Sequence, residues 1–208
     1  MVIRWAKDLD DVAPVKILEE EFWDKPSLRI YRPNPREDTK KAVLVPLRGA
    51  YTYYETLWKI SNQHNEKTIL CSFQPRKKPP LPRLVGYIAV ERINESDIGR
   101  NMPPWNHNPE KFYKPNGNSW YIINHVSLES GVSEQLFKKL FIEAKKARIK
   151  KIAVIFNLRH PYITSAQRFW GHYGFRPLYD TYDPEWHYRA EKEEGDYISG
   201  AIIWAREI

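Results

Sequence analysis

The clearest periodicity in the chain lies in "ESGVSEQLFKKLFIEAKKARIK", where Leu136, Phe137, Leu140, Phe141, Ala144 and Ala147 recur at helical spacing. They share one face of a helix, and Glu134, Lys138, Lys139, Glu143, Lys145 and Lys146 take the other. A second helix is predicted in "AQRFWGHYGF", since Ala166, Phe169, Trp170 and Tyr173 fall at i, i+3, i+4 and i+7. Gly174 supplies the left-handed position that ends such a helix, and Phe175 opens the next element. Between the two helices "KKIAVIF" reads as a buried strand and "NLRHPYITS" as a connector. Ahead of them "SWYIINHVSL" is apolar and β-branched almost without interruption, which predicts a central strand. "FRPLYDTY" and "SGAIIWAREI" complete the second half as two final strands.

The first half is more varied. "VIRWA" predicts a short strand, and Asp8 can cap a helix that carries Val12, Val15, Ile17, Leu18 and Phe22 toward Trp23. "RPNPRED" is a loop. Tyr51 to Ile60 predicts a helix, with a strand as its competitor because the segment is rich in aromatics. "TILCSF" and "RLVGYIAVERI" predict an antiparallel hairpin across the stiff, basic connector "PRKKPPLPR". Asn94 to Asn118 is polar throughout and reads as a long insertion of the kind that is functional or mobile. The order of elements predicts an α/β (α+β) chain, a mixed and mostly antiparallel sheet flanked by helices, as one domain over 1–208 with an insertion at about 94–118.

Composition narrows the setting. The single cysteine, Cys71, cannot form an internal disulfide, and the six histidines show no paired spacing of the zinc type, so no metal and a reducing, cytoplasmic location are expected. No run approaches the roughly 18 apolar residues of a membrane span. The net charge of +7 favours an acidic partner, whether nucleic acid, a membrane surface or a phosphorylated small molecule, although solvated lysines and arginines alone account for such a charge in many enzymes.

The chemistry concentrates where the predicted central strand turns into the basic helix. There the amides of Gly131, Val132 and Ser133 stand at a helix start, where unpaired N–H groups and the helix dipole both favour an anion such as a pyrophosphate. The same residues also read as a plain turn, with Ser130 capping and Gly131 relieving the backbone.

Element order and the segment containing Ala166, Phe169, Gly174 and Phe175 together resemble the GNAT superfamily of N-acetyltransferases, whose motif there is A-x-x-F-Y-x-x-x-G-F. The resemblance is strongest from Trp120 to Leu178. It implies a mixed sheet that splays between its fourth and fifth strands to admit the pantetheine arm of acetyl-CoA, the co-substrate. It places the cofactor against Val126, Leu128, Gly131, Val132, Ser133, Asn157, Phe169 and Trp170, and assigns the oxyanion contact to backbone N–H groups around His125 and Val126. Two departures stand out: Leu128 occupies the basic position of the family's phosphate loop, and Trp170 replaces the tyrosine that protonates the leaving thiolate. An indole N–H is no general acid, so Tyr173 is the candidate acid. His125 is the candidate base, because an unperturbed imidazole titrates near pH 6.5. The implied activity is acetyl transfer from acetyl-CoA to an amine by direct attack. The alternative is a binding module for nucleic acid or protein, on the same fold with degenerate catalytic positions.

Overall fold

The computed structural model describes residues 1–23, 50–75, 83–99, 108–157, 163–178 and 201–208. A short strand, β1 (Val2–Trp5), leads into α1 (Leu9–Trp23), whose first turn is capped by Asp8 accepting from the Asp11 N–H at 3.0 Å. Val12, Val15 and Leu18 bury on its inner face, but Ile17 is 65% exposed and does not join the core expected of it. α2 (Ala50–Gln63) is a helix, and the competing strand is excluded because Tyr54, Leu57 and Ser61 bury at helical spacing. β2 (Ile69–Gln74) and β3 (Arg83–Ile93) pair antiparallel, as the hairpin predicts. The expected "RPNPRED" loop and most of the proline-rich connector lie outside the described residues.

Within the expected insertion the chain forms a 3₁₀ turn at Glu95–Asp97 and a short helix, α3 (Pro109–Phe112). β4 (Ser119–Ser127) is the fourth of the seven strands among the described residues, the central position its apolar run requires. α4 (Val132–Lys146), β5 (Lys151–Asn157) and α5 (Ile163–His172) follow. α5 begins within the expected connector, at Ile163. Of the last two strands, β6 (Arg176–Pro177) is far shorter than "FRPLYDTY", whose remainder past Leu178 lies outside the described residues. β7 (Ala201–Glu207) inserts between β5 and β6, giving the order β1-β2-β3-β4-β5-β7-β6. Among the described residues only the β4–β5 pair is parallel, so the sheet is mixed and mostly antiparallel.

Helices cover both faces. α4 and α5 bury Leu136, Phe137, Leu140, Ala144 and Trp170 against Val85, Ile88, Val90, Trp120, Ile122 and Val154. α1 and α2 bury Val12, Val15, Leu18 and Tyr54 against Ile69, Cys71, Phe73, Tyr87, Ala89 and Val126. The predicted face of α5 is found in full, since Ala166, Phe169 and Tyr173 pack beside buried Trp170. Gly174 ends that helix at φ 80°, and Phe175 is wholly buried. Among the described residues no helix is long and apolar enough to cross a membrane, and no group of His, Cys, Asp or Glu side chains could hold a metal ion.

Candidate functional site

Two irregularities of β4 create the site. β4 and β5 pair only from Ser119 with Lys151 to Ile122 with Val154. Beyond that point β4 continues to Ser127 on the edge of β3, while β5 continues to Asn157 on the edge of β7, where Ile155, Phe156 and Asn157 face Ile203, Ile202 and Ala201. Each strand is held by its outer neighbour, so the sheet parts between them. The second irregularity is a β-bulge, because Ala89 pairs with Asn124 and Val90 with Ile122, leaving Ile123 as an extra residue. With a side-chain period of two, one extra residue exchanges the faces of everything after it. His125 therefore points to the α4–α5 layer, and Asn124 and Val126 point to the α1–α2 layer.

The bulge leaves the ladder in a definite phase. The Leu128 N–H donates to the Val85 carbonyl at 3.0 Å. By antiparallel alternation Val126 faces Tyr87 as a hydrogen-bonded pair, and the His125 N–H points away from β3 into the parting. Two of the residues expected against the cofactor face elsewhere. The amides of Val126 and Leu128 are engaged by the sheet, and both side chains belong to the α1–α2 core. The donors that face the parting are His125 and Ser127, and Ser127 had not been singled out. The His125 N–H is met by the Asn124 Oδ1 at 2.8 Å.

At the end of β4 the chain turns into α4 through Gly131, which adopts φ 78° with nothing within 4 Å of the place a Cβ would occupy. Gly131 itself is the N-cap and no side chain caps the helix, so the reading of Ser130 as a cap is overturned. Among the described residues the amides of Gly131 and Ser133 meet no acceptor, and the Val132 N–H has only a long contact with the Glu129 carbonyl, 3.4 Å. The Val132 side chain is 1% exposed and pins the turn to the sheet, where a Cβ on Gly86 would stand 2.6 Å from its Cγ1. Asn157 ends β5 at the rim of the parting, and its side chain lies outside the described residues.

Aromatic rings wall the α4–α5 side. The His125 ring stacks on Phe169 at 5.3 Å and 21°, lies 5.2 Å from Phe137 and meets Trp170 edge-on at 6.4 Å. Tyr173 stacks on Phe137 at 4.2 Å, so the structure brings His125, Phe169, Trp170 and Tyr173 into one cluster. Trp170 is 8% exposed and makes edge contacts with Phe137, Phe169 and Phe175, as befits a packing role. The His125 Nε2 reaches the Ser133 Oγ at 3.1 Å, linking the strand to the first turn of α4.

Burial lowers the His125 pKa to about 4. A ring so disposed is a poor acceptor for the proton of an alkylammonium. Its geometry suits it to fixing Ser133. Because the folded pKa lies below the unfolded value, the unfolded chain binds more protons between about pH 6.5 and 4. The stability tied to a neutral His125 is present above pH 6.5 and is lost as pH falls toward 4, by up to about 3 kcal/mol for a shift of this size. His125→Gln is expected to flatten the stability curve in that window, read by denaturation at a series of pH values. Parallel curves for variant and parent would refute the assignment.

Across the sheet the structure brings together residues that the sequence reading had passed over. Tyr54, Tyr87 and Glu91 are all 0% exposed. The Tyr54 and Tyr87 hydroxyls lie 3.2 Å apart, and the Asn124 Nδ2 donates to Tyr87 at 3.1 Å and to Tyr54 at 3.4 Å. The Tyr53 hydroxyl donates to the Glu91 Oε2 at 3.2 Å. Burial, with Glu91 adding to it, pushes the Tyr53 pKa well up. Parity along β3 is the signal that finds Glu91, since Tyr87, Ala89, Glu91 and Ile93 alternate onto one inward face.

No protein-family model matches the chain, and no curated protein matches it. Solved structures do match along its whole length. A ribosomal-protein-alanine N-acetyltransferase from Brucella melitensis superposes with a TM-score of 0.57 at 11% identity, covering 100% of both chains. A PaiA N-acetyltransferase from Thermoplasma acidophilum, solved with coenzyme A, gives 0.57 at 14% identity with the same coverage. The chain has the GNAT fold. The parting of β4 and β5 is the feature that the resemblance to GNAT proteins led us to expect. A GNAT-like decarboxylase bound to isobutyryl-CoA also superposes, with a TM-score of 0.54 at 14% identity and coverage of 100% and 99%. The GNAT fold therefore does not by itself select the reaction.

Proposed function

We propose that the protein is an acyl-CoA-dependent N-acyltransferase that moves an acetyl group from acetyl-CoA to an amine. The observation that carries this reading is the parting of β4 from β5 beyond Ile122 and Val154, beside which the His125 N–H is turned away from β3 and met by the Asn124 Oδ1. Neighbours solved with coenzyme A support a CoA-type ligand. The amides of Gly131 and Ser133, unspent at the start of α4, suit the pyrophosphate. The pantetheine arm would lie between the diverging strands, with the thioester carbonyl taking the place of the Asn124 Oδ1 on the His125 N–H, where developing negative charge is stabilised. The wholly buried Cys71 fits a reducing, cytoplasmic setting.

Proton bookkeeping falls to few groups. Attack by a neutral amine releases a thiolate and an excess proton, so a donor near the sulfur raises the rate. Tyr173 is the candidate donor: burial first, and Glu134 second, raise its pKa, so its hydroxyl carries a proton at neutral pH. Tyr173→Phe is expected to lower kcat about a hundredfold with KM for acetyl-CoA little changed, read by steady-state thiol release. An unchanged kcat would assign Tyr173 to packing alone.

The reading itself is tested by thermal denaturation with acetyl-CoA. At about 100 times its Kd a ligand adds roughly 2.7 kcal/mol, a rise in Tm of about 5–10 °C for a chain of this size. No rise at millimolar acetyl-CoA and none with CoA would refute it.

A further inference from the structure

Asn124 is held from two sides. Its Oδ1 accepts the His125 N–H at 2.8 Å, and its Nδ2 donates to the hydroxyls of Tyr87 and Tyr54 at 3.1 and 3.4 Å. The orientation of the amide is thereby fixed, because turning it over would set an NH₂ group against the His125 backbone N–H. The bulge at Ile123 puts Asn124 on the tyrosine face, and ladder alternation sends the adjoining N–H into the parting. The side-chain carbonyl thus sits on the donor that faces the gap between the strands.

We propose that Asn124 is a built-in stand-in for the acyl carbonyl, a positioning residue that closes the His125 N–H until a thioester oxygen displaces it. This rests on the acyl-CoA reading above. A ligand with a carbonyl at that point must evict the Asn124 oxygen, whereas free CoA, which has none, need not. Asn124 therefore sets how much tighter an acylated cofactor binds than the bare thiol. The two tyrosines, both wholly buried, hold the amide ready to return when the product leaves.

The inference makes opposite predictions for two substitutions. Asn124→Leu removes the competing oxygen and leaves Tyr54 and Tyr87 bonded to each other, so no buried hydroxyl is stranded. Acetyl-CoA should bind about three- to tenfold tighter, the worth of one hydrogen bond, while CoA affinity is unchanged. Asn124→Asp keeps the shape and strengthens the acceptor, since a charged acceptor forms the stronger bond. Acetyl-CoA should then bind at least about tenfold more weakly, again with CoA unchanged.

The measurement is titration calorimetry of parent and variants with acetyl-CoA and with CoA, each variant's Tm reporting whether it is folded. If Asn124→Leu does not fold, the aspartate variant still decides. Weaker acetyl-CoA binding by Asn124→Leu at constant CoA affinity would overturn the proposal, because Asn124 would then be a donor to the acyl group. Equal changes for both ligands in both variants would also overturn it. Failure of the parent to bind either ligand is a different result, which refutes the acyl-CoA reading itself.

Discussion

Arg92→Ala is expected to lower the unfolding free energy by about 3–5 kcal/mol, the usual cost of stripping one partner from a buried ion pair. Arg92 and Glu66 meet at 2.7 Å with side-chain exposures of 17% and 7%. The Arg92 guanidinium also donates to the carbonyls of Gly117 and Ala147, so one side chain joins the end of β3, the segment before β4 and the last turn of α4. Glu66 in turn accepts from the Tyr113 hydroxyl and, at 3.0 Å, from the Asn116 N–H. Removing the guanidinium leaves a nearly buried carboxylate with its cation gone and two carbonyls without their donor. Relaxation is limited because the same segment is tightly seated: a Cβ on Gly117 would stand 2.7 Å from the Ile93 carbonyl carbon, backbone that cannot move aside. For a chain of 208 residues the Tm should fall by roughly 6–20 °C. Guanidinium denaturation followed by tryptophan fluorescence gives the free energy, and a loss below about 1 kcal/mol would show the hub to be incidental. A cycle with Glu66→Gln separates the pair from the carbonyl contacts, because only the pair's share should fail to add.

That hub was invisible in the sequence, and the reason is physical. Arg92 and Glu66 are separated by an entire hairpin, and no local period marks two charges as partners. Elements whose burial is periodic were legible: α4 shows its face in Leu136, Phe137, Leu140 and Ala144, all of them buried. Ile17 shows the limit of that reasoning, since it joins an apolar set by composition but lies off the buried stripe of Val12, Val15 and Leu18. The turn at Gly131 was legible as a helix start, because a glycine and a serine there admit few alternatives. The side-chain directions of β4 were not. A single extra residue at Ile123 exchanges the faces of Asn124, His125 and Val126, and nothing in "SWYIINHVSL" marks where the partner strand skips. Hence the imidazole, the tyrosine pair and Glu91 could be assigned to faces only by the register with β3.

Ser133→Asp should raise the Kd for acetyl-CoA by at least about a hundredfold while leaving the protein as stable as before, or slightly more so. The two effects part because the same position is seen differently by the fold and by the ligand. Ser133 is the second residue of α4, where an acidic side chain interacts favourably with the helix dipole, by about 0.3–1 kcal/mol. Its Oγ lies 3.1 Å from the His125 Nε2, and a carboxylate there can accept a hydrogen bond from the ring in its Nε2–H tautomer. A bound pyrophosphate would meet that carboxylate at close range, beside Glu134 in the same first turn. Repulsion between unit charges about 4 Å apart runs from roughly 1 kcal/mol in water to about 4 kcal/mol near a protein surface, and a pyrophosphate carries more than one charge. The loss should shrink as salt rises, since the group stands at the mouth of an exposed turn. Calorimetry with acetyl-CoA and with dephospho-CoA decides the matter. Both share the pyrophosphate, so both should weaken alike, whereas Ser133→Ala, which adds no charge, should cost far less. Unaltered affinity in the aspartate variant would move the diphosphate away from α4 and leave the parted strands without the anchor that the acyltransferase reading requires.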